Sequence, residues 1–526
     1  VDRDRLLRSL SQRADLREMA ETPLLLTMLA AVNAWAGLPE SRTELYDKCV
    51  DQLLWEWEKR KRDESGNGGD NGLLDLLQEA GLQRSDLERV LWEMTYHAHA
   101  ASGSEIADLP ARDLRERLAA IHPKKGGVNW AWADRVVALM AEWGGLFVET
   151  DTGIFSFPHR SFQEYLAARW LLEEEDRATA AAKLAESDTW RETVLLACGY
   201  LSYKGSFSDV QGIIAELTGG RRFDTPERRL RLLVGGQAWA EFGPHRARGH
   251  TGEELTERVP DRLTGLMQDR QAPPRQRLDA GLLLADLHIL PPDLDDFVPI
   301  AAKAELGYDF RMGKYPVTNS QYRIFVDEDG YAEDKPWWTA EAVKALAWDK
   351  DWRKGPRYWD DPRFDRDTQP VVGVSWYEAV AYCQWLTSKL HAEGEIGSGE
   401  EVRMPTEEEW IWAAIGPHPR HLSQAGRKER KVYPWRGDFD PRWTNTEESN
   451  LGQTTPVHMY ADGKTPEGVW DLAGNMWEWL QEPKGRLKGG AWLWDAEQAE
   501  ASSHDGGAPR SWNYYYGFRV VVVPIR

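Results

Sequence analysis

A chain of 526 residues is too long for one ordinary core, so two to four domains are expected, and 41% hydrophobic with 29% charged residues fits water-soluble globular domains. The 65 Lys and Arg against 86 Asp and Glu give a formal net charge of −21, which argues against nucleic acid or an anionic membrane as the default partner. Only Cys49, Cys198 and Cys383 occur, with no CxxC spacing and no apolar run of about 18 residues, so a disulfide framework, a cysteine zinc site and a membrane span are not suggested and a reducing cytoplasm fits best.

In chain order, the densely charged start VDRDRLLRSLSQRADLREMAE carries no targeting pattern. Apolar residues then recur at three and four, as in Leu24, Leu25, Met28 and Leu29 and in Leu45, Cys49 and Leu53, which predicts amphipathic helices to about residue 295. Breaks are expected at Gly66 to Gly72, Gly126 and Gly127, Gly219 and Gly220, and Pro273 and Pro274. The stretch GLFVETDTGIFSF, Gly145 to Phe157, reads as a small hairpin turning at Asp151 to Gly153. His97 with His99, and His418 with His421, have the spacing of metal pairs, but without a third ligand such pairs are more often surface or packing histidines.

The stretch Leu16 to Leu54 resembles the helical region after the nucleotide-binding core in STAND-type NTPases of the NACHT group, and GIFSFPHRSFQEYLAARWL, Gly153 to Leu171, resembles the end of their winged-helix domain. The resemblance implies that His159 senses bound nucleotide phosphates; the plainer alternative is that it caps the helix beginning near Ser161. No GxxxxGK[ST] loop occurs, so this chain cannot hydrolyse nucleotide by that mechanism, and the expectation is a C-terminal portion of a longer chain with an upstream NTPase domain. Helical stretches such as RRLRLLVGGQAWAEFG and PRQRLDAGLLLADLHIL suggest a spacer over 176–298, without a countable repeat.

After Pro299 the texture changes to short segments and many turns, with 17 of the 27 Trp between Trp337 and Trp512. Reciprocal capping pairs Thr318 with Gln321, Ser375 with Glu378 and Thr406 with Glu409, predicting three helix starts. Along the middle helix Trp376, Val380, Cys383, Leu386 and Leu390 form one stripe, which makes Cys383 a core residue rather than a nucleophile. Tyr516 to Pro524 has the composition of a buried strand.

The phrases YPVTNSQYRIFV, PVVGVSWYEAVAYCQWL, RMPTEEEWIWAA, YPWRGDF, TTPV, GVWDLAGNMWEW, LKGGAW and GFRVV occur in a fixed order, and together they resemble the formylglycine-generating enzyme (sulfatase-modifying factor) family. The resemblance implies an α+β C-type lectin-like domain over 299–526, after an all-α helical and winged-helix region over 1–175 and the spacer. It does not imply activity. The family's enzymes use a copper-binding cysteine pair after a GGSW-like phrase, and here that segment, GGAWLWDAEQAEASSHDGG, offers no sulfur for copper. A related branch works at an iron held by histidines, and its HxxxH spacing is missing too.

By the same resemblance a structural Ca²⁺ is expected on the Asp471 and Glu478 side chains with the Gly474 and Met476 carbonyls, a hard oxygen set. Otherwise those carboxylates only cap and solvate a turn. A second Ca²⁺ maps onto Asn445, Thr446, Ser449 and Leu451, with Ser449 where a carboxylate is often found. The tail carries Trp492, Leu493, Trp494, Asp495, His504, Asp505, Trp512, Asn513, Tyr514, Tyr515 and Tyr516, the aromatic and small polar mixture of a combining site. Held between GGAW and GFRVV, it also resembles the variable proteins of diversity-generating retroelements; the bland alternative is a Trp-rich core. The resulting expectation is a non-enzymatic, cytoplasmic sensor with a protein or other macromolecular ligand, the alternatives being a degenerate enzyme of the formylglycine-generating type and a structural scaffold.

Overall fold

A computed structural model describes residue 20 and residues 23–34, 37–56, 72–103, 105–123, 128–143, 146–220, 223–416, 432–482 and 485–525. The charged start, most of the GNGGDNG stretch, Gly126 and Gly127, Gly145, the His418 and His421 pair, and the side chains of Leu24 and Leu25 lie outside the described residues. Two compact units form, Val1–Val259 and Pro260–Arg526.

The first unit is helical, as its periodicity predicts. Ser41 caps α1 (Arg42–Asp51) by accepting the Glu44 N–H, and α2 (Arg84–Ser102), α3 (Ala111–Ile121) and α4 (Trp130–Trp143) follow. The expected hairpin forms from β2 (Val148–Asp151) and β3 (Ile154–Ser156), joined by β1 (Leu109–Pro110). Two residues at β1 carry no alternating pattern, so only the partner strand reveals them. Helix α5 (Arg160–Leu171) is buried on nearly every side, with Phe162, Tyr165 and Leu166 at 2% exposure or less, and packs on α2. Further helices, α6 (Arg177–Leu184), α7 (Arg191–Tyr203), α8 (Phe207–Leu217), α9 (Pro226–Phe242) and α10 (Gly249–Gln268), continue to the end of the unit and beyond it. His99 is a core residue: Nε2 lies 3.2 Å from the Thr189 carbonyl, Nδ1 lies 2.7 Å from Gln163 Nε2, and the ring meets Trp190 edge-on. Burial pushes its pKa down to about 4. His97 is exposed beside Glu93, so the two do not converge on a metal.

The second unit begins with helix, before the change in sequence texture. Arg277 on α11 (Pro274–Asp286) is 1% exposed and donates to the carbonyls of Met267, Arg442 and Met459 at 2.8–2.9 Å, fastening this helix to the loops of the same unit. One antiparallel sheet has the order β4 (Phe297–Ile300), β5 (Phe310–Gly313), β11 (Val521–Pro524), β6 (Glu400–Arg403). The other has the order β10 (Tyr516–Phe518), β7 (Trp477–Trp479), β8 (Arg486–Lys488), β9 (Asp505–Gly506), with β10 parallel to β7. All three expected capping boxes are present, at α12 (Asn319–Asp327), α14 (Trp376–Glu393) and α15 (Glu407–Ile415), while α13 (Ala340–Leu346) is capped by Thr339 alone.

Two expectations change in detail. Tyr516 to Pro524 is not one strand but two, β10 and β11, in different sheets. The break falls at Arg519 and Val520, where the fully buried Arg519 side chain turns to Glu478. Helix α14 buries Ala379, Ala381, Tyr382, Cys383 and Trp385, so Cys383 is indeed core, but Trp376, Val380, Leu386 and Leu390 are only half-buried. The helix meets neighbours on more than one side, and a single apolar stripe is too simple a description of it.

Candidate functional site: an anchored aromatic tail

The tail leaves β8 on one side of β7 and returns through β10 on the other, while β9, in its middle, pairs with β8. Its ends permit little change. Gly490 has φ +78°, and a Cβ there would stand 2.8 Å from Ala499 Cα. At Gly517 a Cβ would meet Met476 Sδ at 2.2 Å and the Val371 carbonyl at 2.4 Å. Backbone bonds fix it further: Gly373 N–H donates to the Asn513 and Tyr516 carbonyls, Trp376 N–H to Pro509, Glu447 N–H to Trp494 and Trp477 N–H to Tyr515.

Between these anchors the rings pack on one another, mostly edge to face. Trp494 lies 4.4 Å from Tyr515, Tyr515 lies 4.9 Å from both Tyr514 and Tyr516, and Tyr514 lies 5.8 Å from Trp492. The sequence-based site is thus brought together, although not as one freely exposed face. Leu493, Asp495 and His504 are exposed; Trp494, Asp505, Trp512, Asn513, Tyr514 and Tyr515 are half-buried; Trp492 and Tyr516 are buried. Tyr516 donates its hydroxyl to Asp505, and burial with that carboxylate raises its pKa. Asn513 Oδ1 accepts the Tyr514 N–H, so its side chain shapes the turn.

A segment that the sequence reading missed completes the array. Trp348, 54% exposed, stacks on Trp512 at 6.4 Å, Tyr358 meets Trp512 and Tyr514 at 5.8–5.9 Å, and Phe364 stacks on Tyr514 at 6.1 Å. Beneath Trp512 the Arg357 guanidinium, 5.4 Å from the ring, is held by Asp349 at 3.0 Å and by Glu378 Oε2 at 2.6 Å. The Nε1 atoms of Trp492 and Trp512 are buried without a hydrogen-bond partner among the described residues. The density of rings in WDKDWRKGPRYWDDPRF was the available signal; its meeting with the tail was not.

Two of the residues expected to hold Ca²⁺, Asp471 and Asn445, are joined through Asn475. Its Nδ2 donates to Asp471 (3.3 Å) and to the Thr455 carbonyl, and its Oδ1 accepts from Asn445 Nδ2 and the Thr455 N–H. Asp471 and Asn475 both have positive φ. Burial pushes the Asp471 carboxyl up to about 7, against the pull of Arg519 and the Asn475 hydrogen bond. Such a group is short of positive charge, and Asn445 Oδ1 and Thr446 Oγ1 are buried without partners among the described residues, so these oxygens suit a hard cation. Glu478 differs: Arg519 Nη2 donates to Oε1 at 2.7 Å, and Arg519 Nε and Trp410 Nε1 donate to Oε2 at 2.7–2.8 Å. Ser449 donates to the Thr444 carbonyl, Leu451 is buried, Gly474 O accepts the Met476 N–H, and no cluster of three acidic, His or Cys groups exists among the described residues.

In the first unit His159 is the N-cap of α5. Its Nδ1 accepts the Ser161 N–H at 3.2 Å and lies 2.7 Å from Ser161 Oγ, which puts the ring proton on Nε2. The capping role is therefore met, and it leaves Nε2 as a donor.

Comparison with known proteins agrees with both halves of this reading. Residues 280–523 match the family model of the sulfatase-modifying factor enzyme 1-like domain, and residues 42–171 match that of the winged helix-turn-helix domain C-terminal to NACHT. An inactive C-alpha-formylglycine-generating enzyme 2 of Mus musculus is 29% identical over 255 residues, covering 40% of this chain and 74% of that protein. The hercynine oxygenase of Mycobacterium tuberculosis is 30% identical over 187 residues, 33% of this chain and 38% of that one. The formylglycine-generating enzyme of Thermomonospora curvata is 29% identical over 207 residues, 33% and 59% of the two chains. This chain thus spans well under two thirds of the latter two. Among solved structures, Treponema denticola variable protein 1 aligns at 18% identity over 41% of this chain and 85% of its own, with a TM-score of 0.27. The chain therefore carries a NACHT-associated winged helix followed by a sheet-containing domain of the formylglycine-generating-enzyme type, and no described helix is long and apolar enough to cross a membrane.

Proposed function

We propose that this chain is the sensor portion of a STAND-type NTPase: the aromatic tail of the second unit binds a protein ligand, and the winged-helix region relays that event to an NTPase domain upstream. The observation that carries the reading is the ring array from Trp348 and Tyr358 to Trp494, Trp512, Tyr514 and Tyr515, the last four carried on a loop whose two ends are fixed by the same sheet. Half-buried rings lose little freedom on binding and present a large, rigid contact area, as hot-spot residues do. His159 Nε2–H is the donor that would report on nucleotide phosphate in such a relay. Ca²⁺ is the structural cofactor that Asp471 and Asn445 would hold, and copper has no place, because the segment after Gly490 supplies no sulfur. The setting that fits is cytoplasmic.

The test is a selection of protein ligands from a displayed library against the whole chain, followed by binding to Tyr514→Ala/Tyr515→Ala. Loss of binding with a folded protein supports the reading, whereas ligands whose binding ignores both tyrosines and Trp494 sink it. Incubation with Cu(I) and a cysteine-containing sulfatase peptide should give no formylglycine; conversion would favour an enzyme instead.

A further inference from the structure

A separate cavity of about 360 Å³ opens in the second unit beside β4, β5, α12 and α14, sharing no residue with the tail. Its volume sits at the lower end of the range for small-ligand pockets, roughly 300–1,000 Å³. The wall is apolar and aromatic, with Phe297, Trp385, Leu386 and Leu390 among its residues. Leu386 and Leu390 are two of the four half-buried members of the α14 stripe, so part of that apolar face borders this cavity.

Tyr382 stands in the same wall. It is 3% exposed, stacked on Tyr322 at 5.3 Å and edge-on to Phe518 at 5.3 Å. The neighbouring Tyr322 and Tyr331 satisfy each other's hydroxyls at 2.8 Å, and Tyr331 donates to Glu378. The Tyr382 hydroxyl makes no hydrogen bond to any described residue, although Tyr382 lines the cavity. A buried phenol ordinarily finds a partner, so this one is available to a ligand.

The mouth is anionic. Asp295, Asp296, Glu393 and Glu395 line it, with Arg311 and Lys389 as its cations. Both cations are neutralised by carboxylates that do not line the cavity: Arg311 by Glu400 at 3.1 Å and Lys389 by Glu328 at 2.6 Å, with Glu393 a further 3.9 Å contact of Lys389. Asp295 accepts from Gln321 Nε2 at 2.8 Å, a neutral donor. Asp295, Asp296 and Glu395 therefore have no cationic partner among the described residues.

Carboxylates at the mouth, aromatic walls and an unused phenol oxygen select one kind of ligand. An ammonium group would pair with the carboxylates and donate to the phenol, its attached hydrocarbon would displace water from the wall, and the rings would favour the positive charge over a negative one. We propose that this cavity is a binding site for a small organic ammonium ion with an aromatic or alkyl body. The proposal is independent of what the tail binds.

The experiment is calorimetric titration of the whole chain with phenethylammonium and, as the matched anion, 3-phenylpropionate. Saturable one-to-one binding of the cation and none of the anion is expected. Asp295→Asn/Asp296→Asn should weaken it about tenfold, the size of a lost charge-assisted contact. Tyr382→Phe should weaken it severalfold at an unchanged melting temperature, because the hydroxyl has no internal bond to lose, and Ile324→Trp, at an exposed position on the rim, should block it. Tyr514→Ala/Tyr515→Ala should leave it intact, which separates failure here from failure of the tail. The proposal is overturned by no saturable binding into the millimolar range, by equal binding of the anion, or by a Tyr382→Phe protein that melts lower yet binds the amine as before.

Discussion

The segment Asp471 to Trp479 and the tail that follows it are equally rich in aromatic and polar residues, yet the two spend them differently. In the first, Trp410 and Arg519 hold the Glu478 carboxylate and, separately, Asn475 joins Asp471 to Asn445, all of them buried, and Trp477 and Trp479 are fully buried. In the tail, hydrogen bonds run mostly through the backbone, while the half-buried rings meet edge to face. A fold fixed by side chains in one place and by main chain in the next can change residues in the second without dismantling the first.

The sharpest way to break that contrast is Glu478→Gln. It leaves Arg519 buried without its counter-charge, and an orphaned buried ion costs about 3–5 kcal/mol, so denaturant unfolding of the second unit should shift by that amount. A near-native midpoint would mean that the network is not what holds the frame. Next in size is Ca²⁺: at about a hundredfold excess over its Kd it should add about 2.7 kcal/mol, read as a rise in the melting midpoint that chelator reverses and Asp471→Ala abolishes. In the tail, Tyr514→Ala/Tyr515→Ala should cost about 2 kcal/mol or more in ligand affinity. Because Tyr514 packs on Phe364 and Trp492, the same change should cost roughly 1 kcal/mol of stability as well, a smaller loss than the frame suffers.

Acid should act on the cores rather than on the tail. His99 in the first unit and His458 in the second are buried, and burial lowers both to about 4 from the ordinary 6.5. Between those values the unfolded chain binds more protons, so their contribution is complete above pH 6.5 and is lost as pH falls towards 4. The melting midpoint of the first unit should fall across that window and His99→Gln should flatten its curve, whereas in the second unit the Asp471 carboxyl, raised to about 7, takes up protons in the folded chain and opposes His458. The smallest effect belongs to Leu493→Ser: at 42% exposure it should move stability by less than about 0.5 kcal/mol, and a larger loss would place that part of the tail with the frame.

Much of this was legible from local pattern. Thr318, Ser375 and Thr406 announce their helices because capping is settled within three residues, and Asp151 to Gly153 announces a turn for the same reason. What was hidden depends on distant partners. Arg519 interrupts an apparently continuous strand because Glu478 waits for it, and α11 joins the second unit because Arg277 reaches carbonyls far along the chain. Trp348, Tyr358 and Arg357 have no local pattern that points to the tail, and only folding sets them against Trp512. Asn475 stands within the GVWDLAGNMWEW phrase, and nothing local reveals that its amide joins Asp471 to Asn445.

The position of β11 bears on how the second unit is made. Val521–Pro524 lies inside its sheet, between β5 and β6, so the strands at residues 310–313 and 400–403 have no shared neighbour until residue 524 has left the ribosome. Pairings so far apart in sequence form slowly, and for that interval two strand edges stay open to other nascent chains. The unit is thus an obligate late folder, more dependent on a holding chaperone during synthesis than the helices before it, whose contacts close as they emerge.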